Sequence, residues 1–156
     1  MSAVDQKLAE LGIALPTPAA PVANYVPFVR AGNLVVLSGQ LCFGADGKLA
    51  DAHKGKLGAE VSMEAGRDAA RLCAVNVLAQ LRSAVGGWDE VVRCVRLGGF
   101  INAVPTFAAL APVMNGASDL IVAVFGERGR HARSTIGVAE LPLDAAVEVE
   151  ALFEVR

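Results

Sequence analysis

The sequence is poor in the groups that recognise nucleic acid. Its 156 residues carry a formal charge of −2 and no basic run, with one Trp, one Tyr and six Phe. Such a chain offers neither an electrostatic footprint for phosphates nor a row of rings on which bases could stack, so nucleic acid is not an expected partner. Cysteine is scarce and scattered. Cys42, Cys73 and Cys94 form no C-x-x-C pattern, which reads as small buried hydrophobes in a reducing compartment rather than a disulfide frame or a zinc site. Long apolar runs are also missing: no segment approaches the roughly 20 residues of a membrane span. Asp5, Lys7 and Glu10 interrupt "MSAVDQKLAELGIALP" as the core of a signal peptide. A cytoplasmic location without membrane attachment is the expectation.

Apolar side chains are what the sequence has in excess. They make up 54% of residues against 19% charged, more than a compact monomer of this length usually has to bury. An oligomer is expected. The length suits one domain spanning 1–156 with one core.

Along the chain, Ser2 to Leu11 has the pattern of a short amphipathic helix stopped by Gly12, followed by the Pro-rich connection "LPTPAAPVANY". "YVPFVRAGNLVVLSGQ" is a hairpin turning at Ala31-Gly32-Asn33, with Pro27 placed at an edge or bulge because it has no N–H to give a ladder. Gly39 to Gly58 describes a loop. Ser62 caps a long helix in which Ala70, Cys73, Val77, Leu81 and Ala84 recur at helical spacing, and Gly86-Gly87 ends it. "DEVVRCVRLGGFI" is a buried strand, and a helical region from about Pro105 to Phe125, interrupted or restarted at Pro112, stops at Gly126. The order strand, strand, helix, strand, helix, strand, strand predicts an α+β fold, with helices covering one face of a mixed β-sheet.

The final stretch, "GRHARSTIGVAELPLDAAVEVEALFEV", is expected to be a last hairpin. Alternate residues of a strand share a face. On its first strand Ile136 and Val138 form the apolar set against Arg133, Thr135 and Gly137; on its second, Val147, Val149, Ala151 and Phe153 oppose Glu148, Glu150 and Glu154. If both apolar sets face the helices, Arg133 and the glutamates share the other face. That face is either simply solvated, as one side of an antiparallel sheet often is, or, given Thr135, Gly137, Ala139 and Leu152 on it, an interface enclosing a polar pocket.

Several linked blocks in one order, "ANYVPFVRAGNLVVLSGQ", "AARLCAVNVLAQL", "NGASDL", "FGERGRHARSTIGVAELP" and "VEVEA", resemble the Rid (YjgF) family of enamine/imine deaminases, in its larger chorismate-mutase-like branch. The resemblance implies a homotrimer of α+β protomers packed as a barrel, with clefts between neighbouring subunits. It implies that Arg133 clamps a substrate carboxylate, a task for which a planar guanidinium can offer two parallel hydrogen bonds. Glu148, seven positions after Leu141, would position the water that attacks an imine carbon. Tyr25 matches an aromatic that closes the cleft, and Asn115, at longer spacing, an asparagine lining it. Thr135 stands where relatives often carry cysteine and where a backbone carbonyl would contact the imine nitrogen. The segment "ALAPVMNGASDLIVAVFGERGRH" is longer than in those relatives.

Each of these residues also has a plainer reading. Arg133 could be half of a structural salt bridge, Glu148 one of three glutamates on its strand, Tyr25 an interface ring, and Asn115 a turn or helix-cap residue. His131 and His53 are expected to be exposed. Ser38 lacks the His and Asp partners of a nucleophile. The leading function is hydrolysis of a small 2-imino or 2-enamino acid to a 2-keto acid and ammonium, without metal or cofactor, since an oriented water and a fixed carboxylate suffice for so reactive a group. A non-catalytic trimer binding a small carboxylate metabolite is the alternative from another class, and RNA cleavage a third.

Overall fold

The computed structural model describes residues 1–18 and 20–156. The chain begins with helix α1, Ala3–Glu10, whose N-cap Ser2 accepts the Asp5 amide while Asp5 reaches back to the Ser2 backbone, a closed capping box. Such a cap contributes about 1 kcal/mol to a helix too short to form alone. Strands β1, Phe28–Ala31, and β2, Leu34–Leu41, form the expected hairpin around Gly32, which takes the positive φ that turn requires. Pro27 stands just ahead of β1 at the sheet's edge, where only its carbonyl is used, accepting the Ser38 amide.

Helix α2, Met63–Ala84, starts at the Ser62 cap and buries Ala70, Cys73, Val77 and Leu81. Strand β3, Val91–Asn102, helix α3, Leu110–Phe125, strand β4, Ala132–Val138, and strand β5, Val147–Val155, complete the order. α3 is one unbroken helix with Pro112 in its first turn, where a missing N–H costs nothing. The five strands lie in the order β1-β2-β5-β3-β4, antiparallel except for the parallel pair β3 and β4.

This topology corrects the last hairpin. β5 does not pair with β4 but inserts between β2 and β3, leaving β4 on the outer edge. The connection must therefore cross the C-terminal end of β3. There the buried Asn102 holds it: its side-chain amide donates to Glu140 Oε1 at 3.0 Å and Asp144 Oδ1 at 3.1 Å, and its backbone N–H to the Ala146 carbonyl. Lys56 Nζ donates to Asn102 Oδ1 at 2.6 Å and to the Ala139 carbonyl. Leu143 and Asp144 turn the corner at φ 59° and 57°, a conformation that costs a non-glycine residue about 1 kcal/mol and is held by that network.

α2 packs over β2 and β5, and α3 lies against α2 and over β3 and β4, so all the long helices cover one sheet face. Val147 and Val149 are fully buried under them as expected, and the Cys73 thiol donates to the Val147 carbonyl at 3.3 Å. The three cysteines are free and buried. Ile136 overturns the expectation for β4: it is 50% exposed. Parallel pairing aligns Ile136 with Phe100, which antiparallel pairing aligns with Glu148, so these three side chains share the uncovered face. Val138 is half-buried against the rim of the core at the strand's end. An edge strand is covered less completely than a central one, so its apolar set is free to point outward. The uncovered face also carries Val29 and Val36, 53% and 49% exposed. No helix of the described residues is long and apolar enough to cross a membrane.

Candidate active site

Arg133 is aligned with Leu97 of β3, which is aligned with Ala151 of β5, both buried on the helix side. The arginine therefore turns toward α3 and not toward Glu148, against the shared face inferred from parity. Its Nη1 donates to Asn115 Oδ1 at 2.8 Å and to Ser118 Oγ at 3.1 Å. Asn115 and Ser118, three residues apart, occupy neighbouring positions on one side of α3. Both acceptors thus hold one nitrogen, and no described residue takes the Nε–Nη2 edge of the guanidinium. A planar guanidinium edge with two parallel N–H donors has the geometry to hold a carboxylate.

Thr135 lies two residues further along β4 on the same face as Arg133. Its Oγ1 is enclosed and has no partner among the described residues. Leaving a buried hydroxyl unsatisfied costs about 1–3 kcal/mol.

Glu148 occupies the other side of the sheet. A Cβ on Gly39 would fall 2.3 Å from its Oε1, so the carboxylate rests on the bare backbone of that glycine. Gly39 sits in the irregularity of β2 between Leu37 and Gln40, where a bulge bends the strand beside the acid. Burial raises the Glu148 carboxyl above its ordinary range, and the neighbouring Glu150 charge raises it further. Glu150 is itself paired with Arg96, at 3.1 Å.

Tyr25 precedes β1 and is 52% exposed. Four strand spacings separate β1 from β4 in the sheet order, about 19 Å at the usual separation of neighbouring strands. The protomer thus brings Arg133, Asn115 and Thr135 to one edge of the helix side. It keeps Glu148 on the open face and Tyr25 near the far edge.

Two residues of the arginine cluster escaped the sequence reading. His131, expected to be exposed, is half-buried: its Nε2 lies 2.9 Å from Ser118 Oγ and its Nδ1 2.6 Å from the Gly129 carbonyl. The one signal for Ser118 in the sequence is its spacing of three from Asn115 within a helical stretch. His53 is also not a surface residue, since its Nδ1 is enclosed without a partner among the described residues. Those residues contain no group of three or more His, Cys, Asp or Glu arranged to hold a metal ion. An open hollow of about 410 Å³ lies elsewhere, lined by Phe43, Lys48, Leu49, Lys54 and Leu143. It brings two lysines to an apolar wall, and Lys54 is already paired with Asp51 at 3.8 Å.

A mixed sheet layered by helices on one face, with Arg133 at its edge and Glu148 on its open side, defines a chorismate-mutase-like α+β protein. Residues 5–155 match the family described as "YjgF/chorismate_mutase-like, putative endoribonuclease", and the chain belongs to that family. Protein TCP17 of Trypanosoma cruzi is 47% identical over 154 residues, 98% of this chain and 94% of that protein. A 2-iminobutanoate/2-iminopropanoate deaminase of Dermatophagoides farinae is 30% identical over 144 residues, 92% of this chain and 95% of that one. The crystal structure of protein Atu1372 from Agrobacterium tumefaciens superposes with a TM-score of 0.91 at 44% identity, covering 99% of this chain and 93% of that one.

Proposed function

We propose that the protein is an imine deaminase, hydrolysing a small 2-imino or 2-enamino acid to a 2-keto acid and ammonium in a cleft completed by a neighbouring subunit of a homotrimer. The observation that carries this reading is the Arg133 guanidinium, tied by Nη1 to Asn115 and Ser118 while its Nε–Nη2 edge has no partner among the described residues. That edge takes the substrate carboxylate through two parallel charged hydrogen bonds. The relative named as a 2-iminobutanoate/2-iminopropanoate deaminase supports the same class of substrate.

Glu148 supplies the base. As water oxygen bonds to the imine carbon, the carboxylate takes a proton from that water and the C=N electron pair moves to nitrogen, giving a carbinolamine. With the imine nitrogen protonated from the start, that carbinolamine is neutral. Glu148 returns its proton to the nitrogen, the C–N bond breaks as the carbonyl forms, and the hydroxyl proton passes back to Glu148, so ammonia leaves and ends as ammonium. A carboxylate whose pKa is raised by burial is a better base than a free one. Because Arg133 and Glu148 face opposite sides of one sheet, one substrate meets both only if they come from two copies. The exposed Val29, Val36 and Ile136 give the copies an apolar surface on which to associate.

The test is a panel of amino-acid-derived imines generated in situ, followed for loss of imine with wild type and Arg133→Ala. Acceleration by wild type that the variant abolishes supports the proposal. If no imine is accelerated, the protein is instead a binder of small carboxylates, a reading that needs the Arg133 edge but not Glu148. RNA cleavage has weaker support, because much of the positive charge is engaged in ion pairs such as Arg96 with Glu150 and Arg30 with Glu90.

A further inference from the structure

Ser118 and His131 stand outside the residues that the family resemblance implies, yet they complete an ordered chain of hydrogen bonds behind Arg133. The Gly129 carbonyl, 2.6 Å from His131 Nδ1, can only accept, so Nδ1 carries a hydrogen. In the neutral ring Nε2 is then bare and accepts the Ser118 hydroxyl at 2.9 Å. A hydroxyl that has given its hydrogen to histidine presents lone pairs to its other neighbour, which is Arg133 Nη1 at 3.1 Å. Every donor in the chain from arginine to serine to histidine to carbonyl meets an acceptor, and only one histidine tautomer satisfies them all.

This ordering matters because a serine hydroxyl rotates freely. Unconstrained, it could offer its hydrogen to Asn115 or to water and leave Nη1 one acceptor short. His131 fixes its direction, and Ser118 fixes the plane of the guanidinium in turn. Asn115 alone would permit rotation about its single hydrogen bond; two acceptors on one nitrogen define an orientation.

We infer that Ser118 and His131 are positioning residues that lock Nη1 of Arg133 so that its Nε–Nη2 edge is presented to a planar carboxylate. The inference rests on Arg133 being the carboxylate anchor. It assigns these residues to ligand affinity and orientation rather than to the chemical step, so their loss raises KM more than it lowers kcat.

The experiment is calorimetric titration of the assembled full-length protein with 2-oxobutanoate, a 2-keto acid of the product class. It compares wild type with Arg133→Ala, Ser118→Ala, Ser118→Thr, His131→Asn and His131→Gln. Loss of one orienting hydrogen bond is expected to weaken binding about threefold to tenfold in Ser118→Ala and His131→Asn. Thr keeps the hydroxyl, and Gln can place an amide oxygen near the position of Nε2, so both restore affinity; Asn reaches only the Nδ1 side. A ligand-free arm uses ¹⁵N spectroscopy of the neutral ring, where the Nδ1–H tautomer is expected and the Nε2–H tautomer overturns the relay. The tautomer reads out even where one substitution harms folding, and the serine and histidine variants report independently of each other. If Arg133→Ala loses binding while Ser118→Ala and His131→Asn bind like wild type, the relay is wrong and the anchor stands. If wild type does not bind, or Arg133→Ala binds equally well, the anchor fails and the relay with it.

Discussion

Arg133 and Glu148 belong to one sheet but to opposite faces of it. Arg133 is in register with Leu97 on the helix side, whereas Glu148 is in register with Phe100 on the open side. Under the proposed function, a substrate that meets both must lie between two copies, each giving half of two different sites. In a closed ring with head-to-tail interfaces this arrangement repeats at every boundary.

Subunit mixing tests the division. Arg133→Ala and Glu148→Gln are each expected to be inactive alone. Co-expressed at equal levels, they regain roughly a quarter of wild-type activity, because a random neighbour pair in a ring supplies an intact arginine and an intact glutamate at about that frequency. Sizing by light scattering accompanies the assay and is expected to show a trimer. A mixture as inactive as its parents would return the site to a single protomer.

Replacing Arg133 by lysine keeps the charge but loses the planar fork. Lysine cannot hold Asn115 and Ser118 with one nitrogen while offering a second edge to a ligand. A charged hydrogen bond contributes roughly 1.5–3 kcal/mol, so binding of a 2-keto acid should fall at least about tenfold in Arg133→Lys while the assembly survives. Unchanged affinity in calorimetry would place the anchor elsewhere.

The titration of Glu148 links activity to stability with opposite signs. Its carboxyl is raised by burial first and by Glu150 second, so the folded state holds its proton to higher pH than the unfolded chain does. Stability from this group is full below the ordinary carboxylate range and is lost as pH rises through the raised value. Glu148→Gln should therefore raise Tm at neutral pH, and that gain should vanish in acid, while turnover is lost. In wild type the acid limb of kcat/KM should lie above the ordinary carboxylate range. Glu150→Gln should move it to lower pH. A limb that stays fixed in Glu150→Gln would separate that limb from Glu148.

Much of the fold was legible because its signals are local. Ser62 caps its helix as read, and α2 buries Ala70, Cys73, Val77 and Leu81 of the residues recurring at its helical period. Parity worked within β5, a central strand whose inner face must be apolar. It failed across β4 because facing depends on which strand is the neighbour, and the insertion of β5 between β2 and β3 is a long-range choice. The groups that hold the crossing, Lys56, Asn102 and Asp144, come from three separate parts of the chain. Nothing in their local sequence announces that they meet. The same limit hid Ser118 and His131, which are 13 residues apart and touch only once α3 and β4 are packed.

Two glycines separate the requirements of the site from those of the fold. At Gly39 an added Cβ would lie 2.3 Å from Glu148 Oε1, the far end of a flexible side chain, whereas at Gly116 it would lie 2.0 Å from the Arg67 backbone carbonyl, where α2 and α3 cross. A side-chain end can swing aside at little cost to stability, but two packed helices can make room only by moving apart. Gly39→Ala should accordingly keep Tm near that of wild type while displacing the carboxylate and lowering kcat. Gly116→Ala should cost about 1–3 kcal/mol of stability through overpacking, and it should also weaken ligand binding, because the crossing sits beside Asn115 and Ser118. Thermal melts and turnover measured on the two variants decide the matter. Full activity in a folded Gly39→Ala would mean that Glu148 is not held where the reaction needs it, and the general-base role would pass to another group.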